Sequence, residues 1–233
     1  MANLSQLGQH YGTDKVLHGF IPIYETYFSG RRESIRHILE IGVFFGSSIQ
    51  MWRDYFPKAV IHGMDSFQGH QGNGQIFANA DNFWNQWQNG NVTQSERIRL
   101  YRYDQSQLGE LDAFVDSLRR QGIQFDAILD DGSHLMRDQQ ITLGKLWTLI
   151  RPGGCFIMED LHTSLSHAGD YHDILPDKSN TTLTLFQEFQ KTGQMNSIYI
   201  DLSPIVNQIQ SMQIETSPKG SITAFIHKRG NPI

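Results

Sequence analysis

Asp130-Asp131-Gly132-Ser133-His134 and Glu159-Asp160 place four carboxylates and an imidazole directly after two apolar runs, 125–129 and 155–158. An apolar run of that length bounded by turn residues reads as a buried parallel strand. Ligands of an open parallel sheet collect outside the carboxyl ends of its strands. If the two strands are neighbours, about 4.8 Å apart, Asp131, Glu159 and Asp160 can converge on one hard cation such as Mg²⁺. Oxygen-only ligands favour Mg²⁺ over Zn²⁺, and no Cys or tight His pair argues for a softer ion. The plainer alternative is that each acid caps the helix that follows. Capping accounts for one acid per strand end, but not for a pair at both ends with a histidine beside them.

The elements that must position these groups alternate along the chain. Strand-like runs recur at 38–41, 60–64, 98–103, 127–129, 156–158, 198–200 and 223–227, with helix-compatible segments between most of them. This pattern predicts an α/β, doubly wound, mostly parallel seven-stranded sheet of the Rossmann-like kind. Residues 108–120 and 140–150 carry apolar side chains at helical spacing, and Arg151-Pro152-Gly153-Gly154 supplies a stop before the next strand. Residues 1–30 form an N-terminal helical or lid segment. Residues 66–96 are rich in Asn, Gln and Gly yet carry Phe77, Phe83, Trp84 and Trp87, and so read as an insertion after the second strand. It is either a substrate lid or a surface loop anchored by its aromatics. A single domain over 1–233 is expected.

Earlier in the chain, His37-Ile38-Leu39-Glu40-Ile41-Gly42 runs from a strand into a turn that reaches Gly46 and then a helix. Such a turn lets a ligand approach the backbone. With Gly42 and Gly46 alone it matches neither the three-glycine dinucleotide fingerprint nor a phosphate loop ending in Gly-Lys-Ser/Thr. Asp65 ends the next strand, where an acid can take both hydroxyls of a ribose, although a strand-end Asp is also a common turn former.

Composition narrows the classes. A net charge of −5 gives no general attraction to nucleic acid or to an anionic membrane, so neither is an expected partner. No run approaches the roughly 20 apolar residues of a membrane span, residues 1–15 lack a signal-peptide pattern, and Cys155 is the sole cysteine. A soluble cytoplasmic protein without disulfides is expected. Cys155 reads as a small buried hydrophobe.

The ordered set formed by the Glu40-x-Gly42-x-x-x-Gly46 turn, an acid after the second strand, Asp104-Gln105 after the third and acids after the fourth resembles class I S-adenosylmethionine-dependent methyltransferases. More narrowly, Tyr11-Gly12-Thr13-Asp14-Lys15 with His18, Met51-Trp52, Asp104-Gln105-Ser106, 130–134 and 159–164 resemble the metal-dependent sugar O-methyltransferases of macrolide and related natural-product pathways. Cephalosporin-hydroxylase-like proteins share much of this set. The resemblance covers most of 7–165. It implies that Glu40, Gly42 and Gly46 hold the methionine part of the cofactor, Asp65 its ribose, and Asp104 with Gln105 its adenine edge, with Thr13 and Asp14 closing over it. It also implies O-methylation of a small-molecule hydroxyl, on an acceptor that offers two adjacent oxygens to a Mg²⁺ or similar ion. His134, three residues beyond Asp131, is the expected general base, with His162 as the runner-up. His10, His62, His70, His167, His172 and His227 read as ordinary surface or core residues. Homo-oligomer formation and the identity of the acceptor stay open. The alternatives are a nicotinamide-dependent oxidoreductase on the same sheet and a catalytically silent cofactor-binding protein.

Overall fold

The computed structural model describes residues 2–70, 74–168, 171 and 180–230, and all statements of structure refer to these. His172 lies outside them. Seven strands form one sheet: β1 (His37–Ile41), β2 (Val60–Asp65), β3 (Ile98–Arg102), β4 (Phe125–Asp130), β5 (Ile150–Met158), β6 (Ile209–Thr216) and β7 (Ile222–Lys228). Their order is β3-β2-β1-β4-β5-β7-β6, parallel from β3 to β5 and antiparallel at β7 and β6. Every residue of β4 is buried, as a central parallel strand covered on both faces requires. One apolar cluster gathers Leu111, Phe114, Trp147 and Phe186 with Phe156 and Ile128. The other gathers Trp52, Tyr55 and Tyr24 with Ile38, Leu129 and Ile157. The helices therefore cover both sheet faces, as expected.

Register decides where the chemistry falls. Ile41 pairs with Met64 and with Asp130, and Asp130 pairs with Met158, so β2, β1, β4 and β5 end level. The ladder runs one step further: Gly42 N donates to Met64 O (2.9 Å), Asp131 N to Ile41 O (3.0 Å) and Glu159 N to Asp130 O (3.0 Å). Gly42, Asp131 and Glu159 are thereby held on one rim by backbone hydrogen bonds.

Three boundaries differ from the sequence expectation. The segment 198–200 is not a strand: Tyr199 and Ile200 pack against the core from a bend, and the sixth strand is β6. An edge strand with one solvated face needs few apolar residues, and Gln210, Ser211, Gln213 and Glu215 hide its period. The strand β5 begins at Ile150 and includes Arg151-Pro152-Gly153-Gly154, because the ladder to β4 shifts register between Phe125 and Ala127 and absorbs the turn-forming residues as an irregularity. The sixth helix spans Met136–Leu146, and a separate 3₁₀ turn, Trp147–Leu149, occupies the last part of the expected 140–150. The helix Leu108–Arg120 coincides with its expected span.

In the insertion, a helix at Asn82–Gln88 is tied down by its aromatics. Phe83 is buried, Trp87 Nε1 donates to Ile98 O (3.2 Å), and Arg102 lies 5.0 Å over the Trp84 ring. The N-terminal segment contributes helices Leu4–Tyr11 and Ile21–Phe28 on either side of a 3₁₀ turn at Asp14–Val16. No described helix is long and apolar enough to cross a membrane.

Away from the rim, His62 is buried on β2 with Nδ1 3.1 Å from the Tyr101 hydroxyl and Nε2 3.1 Å from His37 Nδ1. Burial, followed by the neighbouring His37 and Arg99, pushes its pKa down to about 3. The folded value lies below the unfolded value near 6.5, so its contribution to stability is complete above pH 6.5 and is lost as pH falls from there toward 3. The destabilisation caused by His62→Gln should therefore shrink by about 2 kcal/mol between pH 7.5 and pH 5, since each pKa unit is worth about 1.4 kcal/mol. Urea unfolding of both proteins across this range checks it, and parallel pH profiles contradict it.

Candidate active site

Strand order reverses between β1 and β4, and a cavity of about 310 Å³ opens at this switch point. Thr13, Asp14, Gly42, Asp65, Asp104 and Gln105 line it, together with Phe44, Phe77 and Tyr103. Glu40 and Gly46 are not in its wall. Glu40 is buried behind it and accepts from the Ser48 hydroxyl (2.8 Å), while Gly46 sits beneath the Phe83 ring. Asp65 holds the glycine turn in shape: Oδ2 accepts from Val43 N and Phe44 N (2.8 and 2.9 Å), and Oδ1 from Phe67 N (2.7 Å). Gln105 spans the rim, donating to Asp130 (2.9 and 3.0 Å) and Thr142 (3.0 Å) and accepting from Ser133 N (2.9 Å). Asp104 Oδ1 accepts from Ser106 N and its hydroxyl, both at 2.8 Å, so it also shapes the loop entering the helix Leu108–Arg120.

A second cavity, of about 260 Å³, is lined by Lys15, His18, Phe20, Glu159, Asp160, His162 and Tyr171. Asp14, Asp131 and His134 line both cavities and mark where they meet. His70, read as ordinary from sequence, lines the first cavity, and His18 lines the second.

The acids of this rim separate into two groups. Asp131, His134 and Asp160 can bring one ligand atom each within 4.8 Å of one another, and so can Glu40, Asp131 and Glu159. The second group already faces a cation. Lys15 Nζ, on a side chain 1% exposed, lies 2.5 Å from Asp131 Oδ2, 2.8 Å from Glu159 Oε1 and 3.1 Å from Glu40 Oε1. The Tyr24 hydroxyl also donates to Glu159 Oε1 (2.5 Å). Burial alone would depress the Lys15 ammonium, yet Asp131, Glu159 and Glu40 hold it well above its ordinary range. Burial and the neighbouring Asp131 push the Glu159 carboxyl upward. As the side chains stand, Glu159 and Asp160 do not share one ligand group.

Within the first group Asp131 and Asp160 fit a divalent ion, with His134 beside them. Asp160 Oδ1 is buried without a hydrogen bond, as is His134 Nδ1. Asp160 stands between two imidazoles, with His134 Nε2 3.6 Å from Oδ2 and His162 Nδ1 3.5 Å from Oδ1, contacts too long or misaligned to satisfy it. Unsatisfied buried acceptors of this kind are what a cation would complete. Among the described non-glycine residues with positive φ, His134 (59°) and Asp160 (55°) both belong to this group. Left-handed backbone costs such residues energy, and it aims both side chains into the second cavity. Burial also lowers the pKa of His162.

Lys15 belongs to the motif 11–15 but has no role assigned by it, and no local signal marks Tyr24 or Phe20. A lysine next to Asp14 reads as a surface pair. Its burial follows from a contact 116 residues away with Asp131, which no local signal carries.

No protein-family model matches the chain. It is 30% identical over 171 residues to mycinamicin VI 2''-O-methyltransferase of Micromonospora griseorubida, which covers 70% of this chain and 37% of that protein. It is 29% identical over 189 residues to demethylmacrocin O-methyltransferase of Streptomyces fradiae, covering 77% and 41%. The chain thus spans less than half the length of these curated relatives. A structure of the MycE methyltransferase from the mycinamycin biosynthetic pathway, in complex with Mg, SAH and mycinamycin VI, matches with a TM-score of 0.71 at 25% identity, covering 99% of this chain and 55% of that one. The O-methyltransferase TomG of Streptomyces achromogenes matches at 15% identity with a TM-score of 0.55, a likeness of fold alone. The chain is therefore a homologue of sugar and macrolide O-methyltransferases, built on the Rossmann-like methyltransferase fold.

Proposed function

We infer that the protein methylates a hydroxyl of a sugar or glycosylated small molecule, using S-adenosylmethionine and a divalent cation. The carrying observation is the pair of cavities that meet at Asp14, Asp131 and His134, because methyl donor and acceptor must approach in line. Relatives support it: two are O-methyltransferases of an L-rhamnosyl tetracenomycin and of an L-olivosyl-oleandolide. No observation favours a nicotinamide cofactor.

The first cavity is the proposed cofactor site, with Thr13 and Asp14 at its lip. Asp65 has acceptor capacity left on Oδ1 for a ribose hydroxyl while it pins the turn, and Asp104 and Gln105 stand at the adenine end. Glu40 acts through Ser48, which lines the cavity, and Gly46 shapes the turn by accepting the Phe83 ring. Asp131 and Asp160 are the proposed direct cation ligands, and Glu159 supports them from behind through Lys15. A divalent ion bound there would lower the pKa of an acceptor hydroxyl, which is otherwise too reluctant to ionise to be a good nucleophile. His134 lines both cavities and is the proposed base that takes the hydroxyl proton. Its backbone is fixed by Thr163, whose hydroxyl donates to His134 O (3.2 Å). His162, on the far side of Asp160, is the alternative base.

Methyl transfer from labelled S-adenosylmethionine to a panel of glycosylated acceptors, with Mg²⁺ present, tests this reading. Label transferred to at least one glycosylated acceptor is the expected result. Folded protein that binds neither S-adenosylhomocysteine nor a divalent ion overturns it. Within that assay, His134→Ala should lower turnover by roughly 10²–10⁴-fold while cofactor affinity stays near wild type. Near wild-type turnover of His134→Ala moves the base to His162.

A further inference from the structure

Resting on the proposed cation site, we propose that Lys15 is a positioning residue whose ammonium orients Asp131 toward the ion and holds the Thr13–Asp14 lip against the sheet rim. Lys15 lies in the 3₁₀ turn Asp14–Val16, directly after two residues that line the cofactor cavity, and its side chain crosses to β4 and β5. Among the described residues it is the hydrogen-bond donor to Asp131 Oδ2. The three carboxylates around it differ in freedom: the side chains of Glu40 and Glu159 are 0% and 1% exposed, whereas that of Asp131 is 19% exposed. Without the ammonium these carboxylates repel one another. Asp131 is then the one with room to swing toward solvent, and it is the acid common to both possible ligand groups.

A buried ion cluster is weak support for stability, since well-packed apolar residues of similar volume often serve as well. Its location at the junction of two cavities is what gives Lys15 a different role. The role has a sign that can be tested. By Coulomb's law alone, deleting a positive charge beside Asp131 tightens the binding of a second cation. A positioning role gives the opposite result, because a misplaced ligand costs more than the removed repulsion returns.

The test is calorimetric titration of Mn²⁺ into the full chain as wild type, Lys15→Met and Lys15→Arg, with melting temperatures measured in parallel. S-adenosylhomocysteine is titrated into the wild type as well. Mn²⁺ affinity should fall by roughly 10–100-fold in Lys15→Met, the usual cost of losing a group that orients a metal ligand. Lys15→Arg should show part of that loss, since a planar guanidinium keeps the charge but cannot converge on three oxygens as an ammonium does. Retaining a cation among buried carboxylates also keeps this variant informative if Lys15→Met does not fold. A lowered melting temperature with unchanged or tighter Mn²⁺ binding in a folded variant overturns the proposal and leaves Lys15 a structural residue. Wild type that binds S-adenosylhomocysteine but no Mn²⁺ overturns the cation site together with it. Wild type that binds both, with variants equal to it, overturns the role of Lys15 alone.

Discussion

Gly42→Val is expected to abolish binding of S-adenosylmethionine and, with it, to weaken the cation site. Gly42 has φ +87°, a conformation that a β-branched residue strongly resists. A Cβ at this position would stand 2.0 Å from Asp131 O, 2.7 Å from the Asp131 carbonyl carbon and 3.1 Å from Gly132 Cα. These are backbone atoms on the neighbouring strand end, so no side-chain rotation relieves the clash. Either the turn after β1 retreats into the cofactor cavity or the 131–134 loop is pushed outward. The first outcome removes the cofactor site, and the second also displaces Asp131 and His134. Titration of S-adenosylhomocysteine and Mn²⁺ into the folded variant should show no measurable cofactor binding and weakened metal binding. Cofactor binding at wild-type strength by folded Gly42→Val contradicts the assignment of this cavity.

Removal of the divalent ion should have an effect of comparable size. Turnover in excess EDTA is expected to fall to background and to return on addition of Mg²⁺. Full activity at confirmed negligible metal content would leave methyl transfer standing without a cation. Asp160→Ala should eliminate measurable Mn²⁺ binding, because it removes the carboxylate whose buried Oδ1 has no hydrogen bond. Glu159→Gln should cost less metal affinity, since its oxygens accept from Lys15 and Tyr24. A loss in Glu159→Gln as large as that in Asp160→Ala would return Glu159 to the direct ligand set, with Lys15 giving way to the ion.

Much of this architecture is legible in the sequence because the signals are local. The buried runs at 38–41, 60–64 and 127–129 and the helical period of 108–120 each reflect burial of one segment, and each produced its expected element. β6 escaped because an edge strand alternates weakly, and the start of β5 escaped because turn residues inside a strand are tolerated where the ladder slips.

The candidate site divides along the same line. That acids and histidines end the fourth and fifth strands, and that Gly42 and Asp65 end the first and second, is a property of the sequence. Strand ends of a parallel sheet lie on one rim whatever the side chains do. Which acid faces which partner is a property of the tertiary structure alone. Equal spacing along two strands does not say that Glu159 turns toward Lys15 and Tyr24 while Asp160, with left-handed backbone, turns toward His134 and His162. That choice is made by the segment 12–24 folding across the rim and bringing a buried ammonium to three carboxylates from distant parts of the chain. The energy of such a contact depends on separation in space, and nothing in the local sequence around Lys15 encodes it.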